Sequence, residues 1–111
     1  MHISEIVKKN FHDNLEINKI SLEKLLPQIE LATTKIIDVT DSSGKIMSCG
    51  NGGSSGDAQH IVSELVNRFE KERKEVAAIS LNSDTATITS IANDYDYKYI
   101  FSKQINAIGK K

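Results

Sequence analysis

The sequence predicts an α/β fold built around a parallel sheet, and three observations predict it. Two short apolar runs, Lys45–Cys49 and Val76–Leu81, are each followed by a segment of helical periodicity. The first run ends in a glycine-rich turn, "CGNGGSSGD", that feeds a helix. The second run is apolar nearly throughout, as a parallel strand covered on both faces should be. Strands alternating with helices in this way imply parallel pairing through a right-handed crossover.

The elements follow in order. Residues 1–43 read as helix, with apolar residues at Ile3, Ile6, Val7, Phe11 and Leu15, then Leu22, Leu25, Leu26 and Ile29. "NKIS" and Pro27 interrupt the stripe, which predicts two helices or one broken one. Ile36, Ile37 and Val39 continue toward "DSSG", a stop signal ending in Gly44. Beyond the first strand and its turn, Asp57–Phe69 reads as an amphipathic helix with Ile61, Leu65 and Phe69 in line. "EKERKE", Glu70–Glu75, reads as a solvated helix end and loop. "TATITSIANDY" is rich in β-branched residues, yet Asp84 before it is a good N-cap and a helix keeps the alternation; helix is the reading taken. Tyr97–Ile108 closes the chain as a last helix. Two parallel strands alone leave every sheet edge open, so residues 44–111 read as the first half of an α/β domain.

With 111 residues, this is one small domain or part of one. Lys and Arg total 14 against 15 Asp and Glu, a near-balance that gives no reason to expect nucleic acid or an anionic membrane as partner. No run approaches the ~20 apolar residues of a membrane span, and "MHISEIVKKNF" lacks the apolar block of a signal peptide. The single cysteine, Cys49, fits a reducing compartment. The expectation is a cytoplasmic protein.

Candidate chemistry gathers at the glycine turn. Glycines let the chain turn sharply and let a ligand approach the backbone, and the free N–H groups of a following helix favour an anion. Ser54 and Ser55 add hydroxyls that can cap the helix or bond an oxyanion. The dinucleotide fingerprint fails at Ser55, and no lysine completes a phosphate-binding P-loop. The turn is either a polar ligand cradle or a tight turn with a serine cap. His60 and Glu64 stand four apart, so a helix carries them on one face. Such a pair can supply half a metal site or a general base, and is also common on solvated helix faces. Asp57 falls in the first turn of the predicted helix, where an acid suits the dipole. Asn93 and Asp94, after the predicted third helix, either face the same crevice or only shape a turn.

In order, "CGNGGSSGDAQHIVSEL", "RFEKER", "AISLNSDTATITSIANDYDY" and "FSKQINAIG" resemble the first half of bacterial phosphoheptose isomerases, of the sugar isomerase (SIS) fold. The resemblance implies a flavodoxin-like, three-layer domain begun by residues 44–111 and truncated, preceded by an oligomerising helical segment over residues 1–43 and assembled as a homotetramer. It implies interconversion of sedoheptulose 7-phosphate and D-glycero-D-manno-heptose 7-phosphate through an enediol, for bacterial surface heptose. Carried over by position, Asn51, Gly52 and Gly53 would line the phosphorylated seven-carbon sugar, with Asn93 and Asp94 on its hydroxyls. His60 and Glu64 would hold zinc, and Glu64 would also move the proton. Gly56 departs from the alanine usual there. The serine/threonine loop, glutamine and histidine of the family's second half have no counterpart in these residues. The rival readings are a non-catalytic SIS protein that binds a replication initiator, which is not expected to keep the glutamate, and an inactive fragment of the isomerase.

Overall fold

The computed structural model describes residues 2–111. Its order is α1 (Ile3–Asp41), β1 (Ile46–Ser48), α2 (Gly53–Val66), β2 (Ala78–Ser80), α3 (Thr85–Asp94), a 3-10 turn at Tyr97–Tyr99, and α4 (Ser102–Ile108). The chain divides into two units, Met1–Ile37 and Asp38–Lys111.

α1 corrects the first expectation. It runs unbroken for 39 residues with Pro27 inside it. Of the residues that read as an interruption, Asn18 bonds back within the helix. Asn18 donates from Nδ2 to the Asn14 carbonyl at 2.8 Å, and Thr33 and Thr34 donate back to the Ile29 and Glu30 carbonyls. No glycine stands between Met1 and Gly44 to end the helix. The stop comes at "DSSG", with Ser43 in the left-handed region (φ 62) and Gly44 N–H closing on the Val39 carbonyl at 2.8 Å.

In the second unit β1 and β2 pair in parallel, with Ile46 opposite Ala78, Met47 opposite Ile79 and Ser48 opposite Ser80. Both strands are shorter than their apolar runs, although Leu81 N–H still donates to the Ser48 carbonyl at 2.8 Å. α2 packs against both strands. It turns inward Ala58, Val62 and Leu65, while Ile61 faces outward. α2 also starts four residues earlier than Asp57 and ends at Val66, so Phe69 lies off the helix in a tight turn with Glu70 at φ 59. The charged segment Glu70–Glu75 is exposed, as expected of a solvated loop. Arg73 nonetheless closes the end of α2, its guanidinium donating to the Glu64, Leu65 and Lys74 carbonyls.

α3 takes the helical option. Asp84 caps it, accepting from Thr87 N–H at 3.1 Å and from the Thr87 hydroxyl at 2.8 Å. These two bonds to the charged form hold the Asp84 carboxyl below its ordinary pKa. The last predicted helix is divided into a 3-10 turn, capped by Asp96 on Lys98 N–H, and α4. Ala58, Leu81 and Ile100 form the buried apolar core together with Ser80. Among the described residues no helix is long and apolar enough to cross a membrane.

Candidate functional site

The turn between β1 and α2 is built by two glycines with different tasks. Gly52 has φ +56, a conformation that side chains with a Cβ rarely adopt. Gly50 is needed for closeness: a Cβ there would stand 2.5 Å from the Ser54 carbonyl oxygen and 2.7 Å from Ser54 Cβ. Gly53 and Gly56 face open space, with nothing within 4 Å of the Cβ position. The cap of α2 is Gly52, with no side-chain capping bond. The serine-cap expectation is therefore corrected: Ser55 donates its hydroxyl to the Gly52 carbonyl at 2.7 Å from within the helix.

Two side chains from distant parts of the chain hold this turn, and neither was legible as a site residue. Asn82, just past β2, meets Gly50 with both ends of its amide. Gly50 N–H donates to Asn82 Oδ1 at 3.0 Å, and Asn82 Nδ2 donates to the Gly50 carbonyl at 2.8 Å. The amide thus extends the β1–β2 ladder by one rung where the backbones have begun to part. Tyr97, in the 3-10 turn, donates its hydroxyl to Asn51 Oδ1 at 2.7 Å. Behind these, Gln104 Nε2 donates to the Leu81 and Ile100 carbonyls at 2.9 and 2.7 Å. Periodicity reads Gln104 as one more position on a helix face; its bond to Leu81, just past β2, is invisible until the fold closes.

His60 and Glu64 lie together as the four-residue spacing requires, with His60 Nε2 3.0 Å from Glu64 Oε1. Their surroundings are not those of the glycine turn. Because α2 begins at Gly53, His60 stands about 10 Å along the axis from the turn, at 1.5 Å per residue. The pair opens onto a shallow depression lined also by Asp57, Ile61 and Phe69, and not by Asn51, Gly52 or Gly53. Asp57 is accordingly a second-turn residue beside the pair. The His60 side chain is 73% exposed and that of Glu64 36%. Asn93 and Asp94 form the last turn of α3 instead of following it, and Asn93 Nδ2 donates to Asp94 Oδ1 at 3.1 Å. The expected site residues therefore fall into three groups: the turn, the His–Glu pair and the Asn–Asp pair.

As metal donors, His60 and Glu64 are of the right type. An imidazole nitrogen and a carboxylate oxygen 3.0 Å apart can share a cation, since tetrahedral zinc with bonds near 2.0–2.1 Å spaces its ligands by about 3.3 Å. They provide two positions. Among the described residues no group of three or more His, Cys, Asp and Glu could hold a metal ion.

Residues 11–110 match the SIS domain family. The chain is 50% identical over 101 residues to phosphoheptose isomerase of Chromohalobacter salexigens, covering 91% of this chain and 51% of that protein. A solved phosphoheptose isomerase from Francisella tularensis matches with a TM-score of 0.94 at 35% identity, over 100% of this chain and 58% of that one. The corresponding structure from Neisseria gonorrhoeae gives 0.89 at 33% identity, over 98% and 56%. The chain spans about half the length of the curated relatives it matches.

Proposed function

This chain belongs to the SIS-domain family, and we propose that the whole protein to which it contributes is a phosphoheptose isomerase. The reaction is the exchange of sedoheptulose 7-phosphate and D-glycero-D-manno-heptose 7-phosphate in the cytoplasm, toward bacterial surface heptose. The observation that carries this reading is the His60–Glu64 pair, two donors 3.0 Å apart on a helix that begins in a ligand-accessible glycine turn. Similarity of 50% over 91% of the chain supports the same reading.

Ketose–aldose exchange moves a proton between two neighbouring carbons through an enediol, so it needs one base that serves both positions. Glu64 has the carboxylate for that task, and its partial exposure leaves an oxygen open to a ligand. His60 and Glu64 would hold zinc in company with ligands from outside these residues. Bound there, zinc supplies positive charge to an oxygen that becomes negative during the reaction. The backbone of Asn51, Gly52 and Gly53 would line the sugar, the last two without side chains to obstruct it. Asn93 and Asp94 would take its hydroxyls, since both are exposed at the end of α3. The exposed apolar residues of α1, Phe11 at 70% and Leu15 at 66% among them, would assemble subunits into a homotetramer.

The test is Glu64→Gln in the full-length protein. It keeps the shape and removes the base, so turnover of sedoheptulose 7-phosphate should fall by about 10²-fold or more. Unchanged turnover would overturn the assignment.

A further inference from the structure

We propose that Tyr97 is a positioning residue: its phenol orients the Asn51 amide so that the Asn51 NH₂ group is presented to the ligand. This rests on the reading that Asn51 lines the sugar. A side-chain amide is two-ended, accepting through oxygen and donating through nitrogen. Tyr97 donates to Asn51 Oδ1 at 2.7 Å and so occupies the accepting end. The Nδ2 end has no hydrogen-bond partner among the described residues, and Asn51 is exposed. What remains free at the turn is a donor pair, which selects an oxygen with a lone pair to give: a sugar hydroxyl accepting a bond, or a phosphoryl oxygen.

The arrangement has the rigidity that positioning requires. Tyr97 opens a 3-10 turn whose backbone is fixed by Tyr99 N–H on the Asp96 carbonyl at 3.1 Å and Ile100 N–H on the Tyr97 carbonyl at 3.1 Å. Ile100 is 3% exposed, and Gln104 ties its carbonyl to that of Leu81 in the core. On the other side, Asn82 clamps Gly50, the residue before Asn51. Asn51 is therefore held from the core through two independent routes, one to its backbone neighbour and one to its own side chain. Tyr97 also follows Asn93 and Asp94 by only a few residues, so it links the two segments proposed to grip the sugar.

The experiment uses the full-length protein with Tyr97→Phe, which keeps the ring and deletes the hydroxyl. Without any substrate, the Asn51 side-chain NH₂ signals in a 15N-labelled sample should shift and lose order. With sedoheptulose 7-phosphate, KM should rise about two- to tenfold, the scale of one hydrogen bond, while kcat stays within about twofold. In an Asn51→Ala background the Tyr97→Phe change should add nothing further to KM. Unmoved Asn51 signals, or a full Tyr97→Phe effect persisting without Asn51, would overturn the inference. A wild-type protein that does not turn over the sugar overturns the proposed isomerase instead, and the Asn51 signals then decide the Tyr97 role alone.

Discussion

The glycines of the turn separate folding from ligand access, and substituting each by alanine in the full-length protein tests this. At Gly50 the added Cβ would sit 2.5, 2.6 and 2.7 Å from the Ser54 carbonyl oxygen, carbonyl carbon and Cβ. Two of these are backbone atoms in the first turn of α2, so the helix itself must move, and the Asn82 clamp with it. Overpacking of this kind costs about 1–3 kcal/mol. For a protein of the relatives' length, roughly twice this chain, each kcal/mol lowers Tm by about 2–4 °C, so Gly50→Ala should melt roughly 2–12 °C early. At Gly52 the penalty is conformational, about 1–2 kcal/mol for placing a Cβ in the left-handed region. At Gly53 nothing lies within 4 Å, and alanine restricts the unfolded chain, which favours folding by about 0.4–1 kcal/mol. Gly53→Ala should thus melt at or slightly above the wild-type temperature. If the turn lines the sugar, the same methyl occupies space the ligand needs, and KM should rise about fivefold or more. Calorimetry and initial rates on the same preparations read both effects. A Gly53→Ala protein as unstable as Gly50→Ala would refute the packing argument. One that is stable and binds the sugar normally would remove the turn from the site.

Two further outcomes follow from other parts of the chain. The Asp84 carboxyl is held below 3.8 by Thr87 N–H and then the Thr87 hydroxyl, so its contribution is complete above that value and is lost as pH falls through the lower folded pKa. Thermal melts below about pH 4 should therefore decline less steeply in Asp84→Asn than in wild type, and parallel slopes would contradict the cap's electrostatic role. On α1, Phe11→Asp with Leu15→Asp removes two exposed apolar side chains, each worth about 1.5–3 kcal/mol when fully buried. If this face builds the proposed tetramer, sedimentation velocity should show a smaller species in the double variant than in wild type, and an unaltered profile would exclude this face from assembly.

What could be read from the sequence divides by the range of the interactions involved. Asp84 as the cap of α3 was legible because a cap is a contract between neighbours, and it decided helix over strand for a β-branched segment. The His60–Glu64 pairing was legible for the same reason, since helical spacing alone fixes it. Parallel pairing of β1 and β2 followed from the alternation of elements and holds in the structure. Element ends were less secure. Three glycines and two serines read as loop and put the predicted start of α2 at Asp57, whereas Gly53–Gly56 are already helical. Glycine's weak helix propensity was overridden by packing of α2 on both strands. Pro27 predicts a break that the structure does not show, since α1 runs through it for 39 residues.

The residues that escaped the sequence share a physical role: Asn82, Tyr97 and Gln104 all hold something else in place. Their partners lie 32, 46 and 23 residues away, and no periodicity or spacing connects such positions. Sequence motifs advertise groups that meet a ligand, because those must have particular chemistry at particular local spacings. Supporting groups need only reach, and the fold supplies the reach. A glycine turn alone would be mobile, since its residues restrict the chain least. Here the mobility that glycine brings is removed at Gly50 by an amide acting as an extra ladder rung, and at Asn51 by a phenol anchored beside the buried Ile100. Only after both constraints are in place does the turn present a fixed set of donors, which is the condition for recognising one ligand over another.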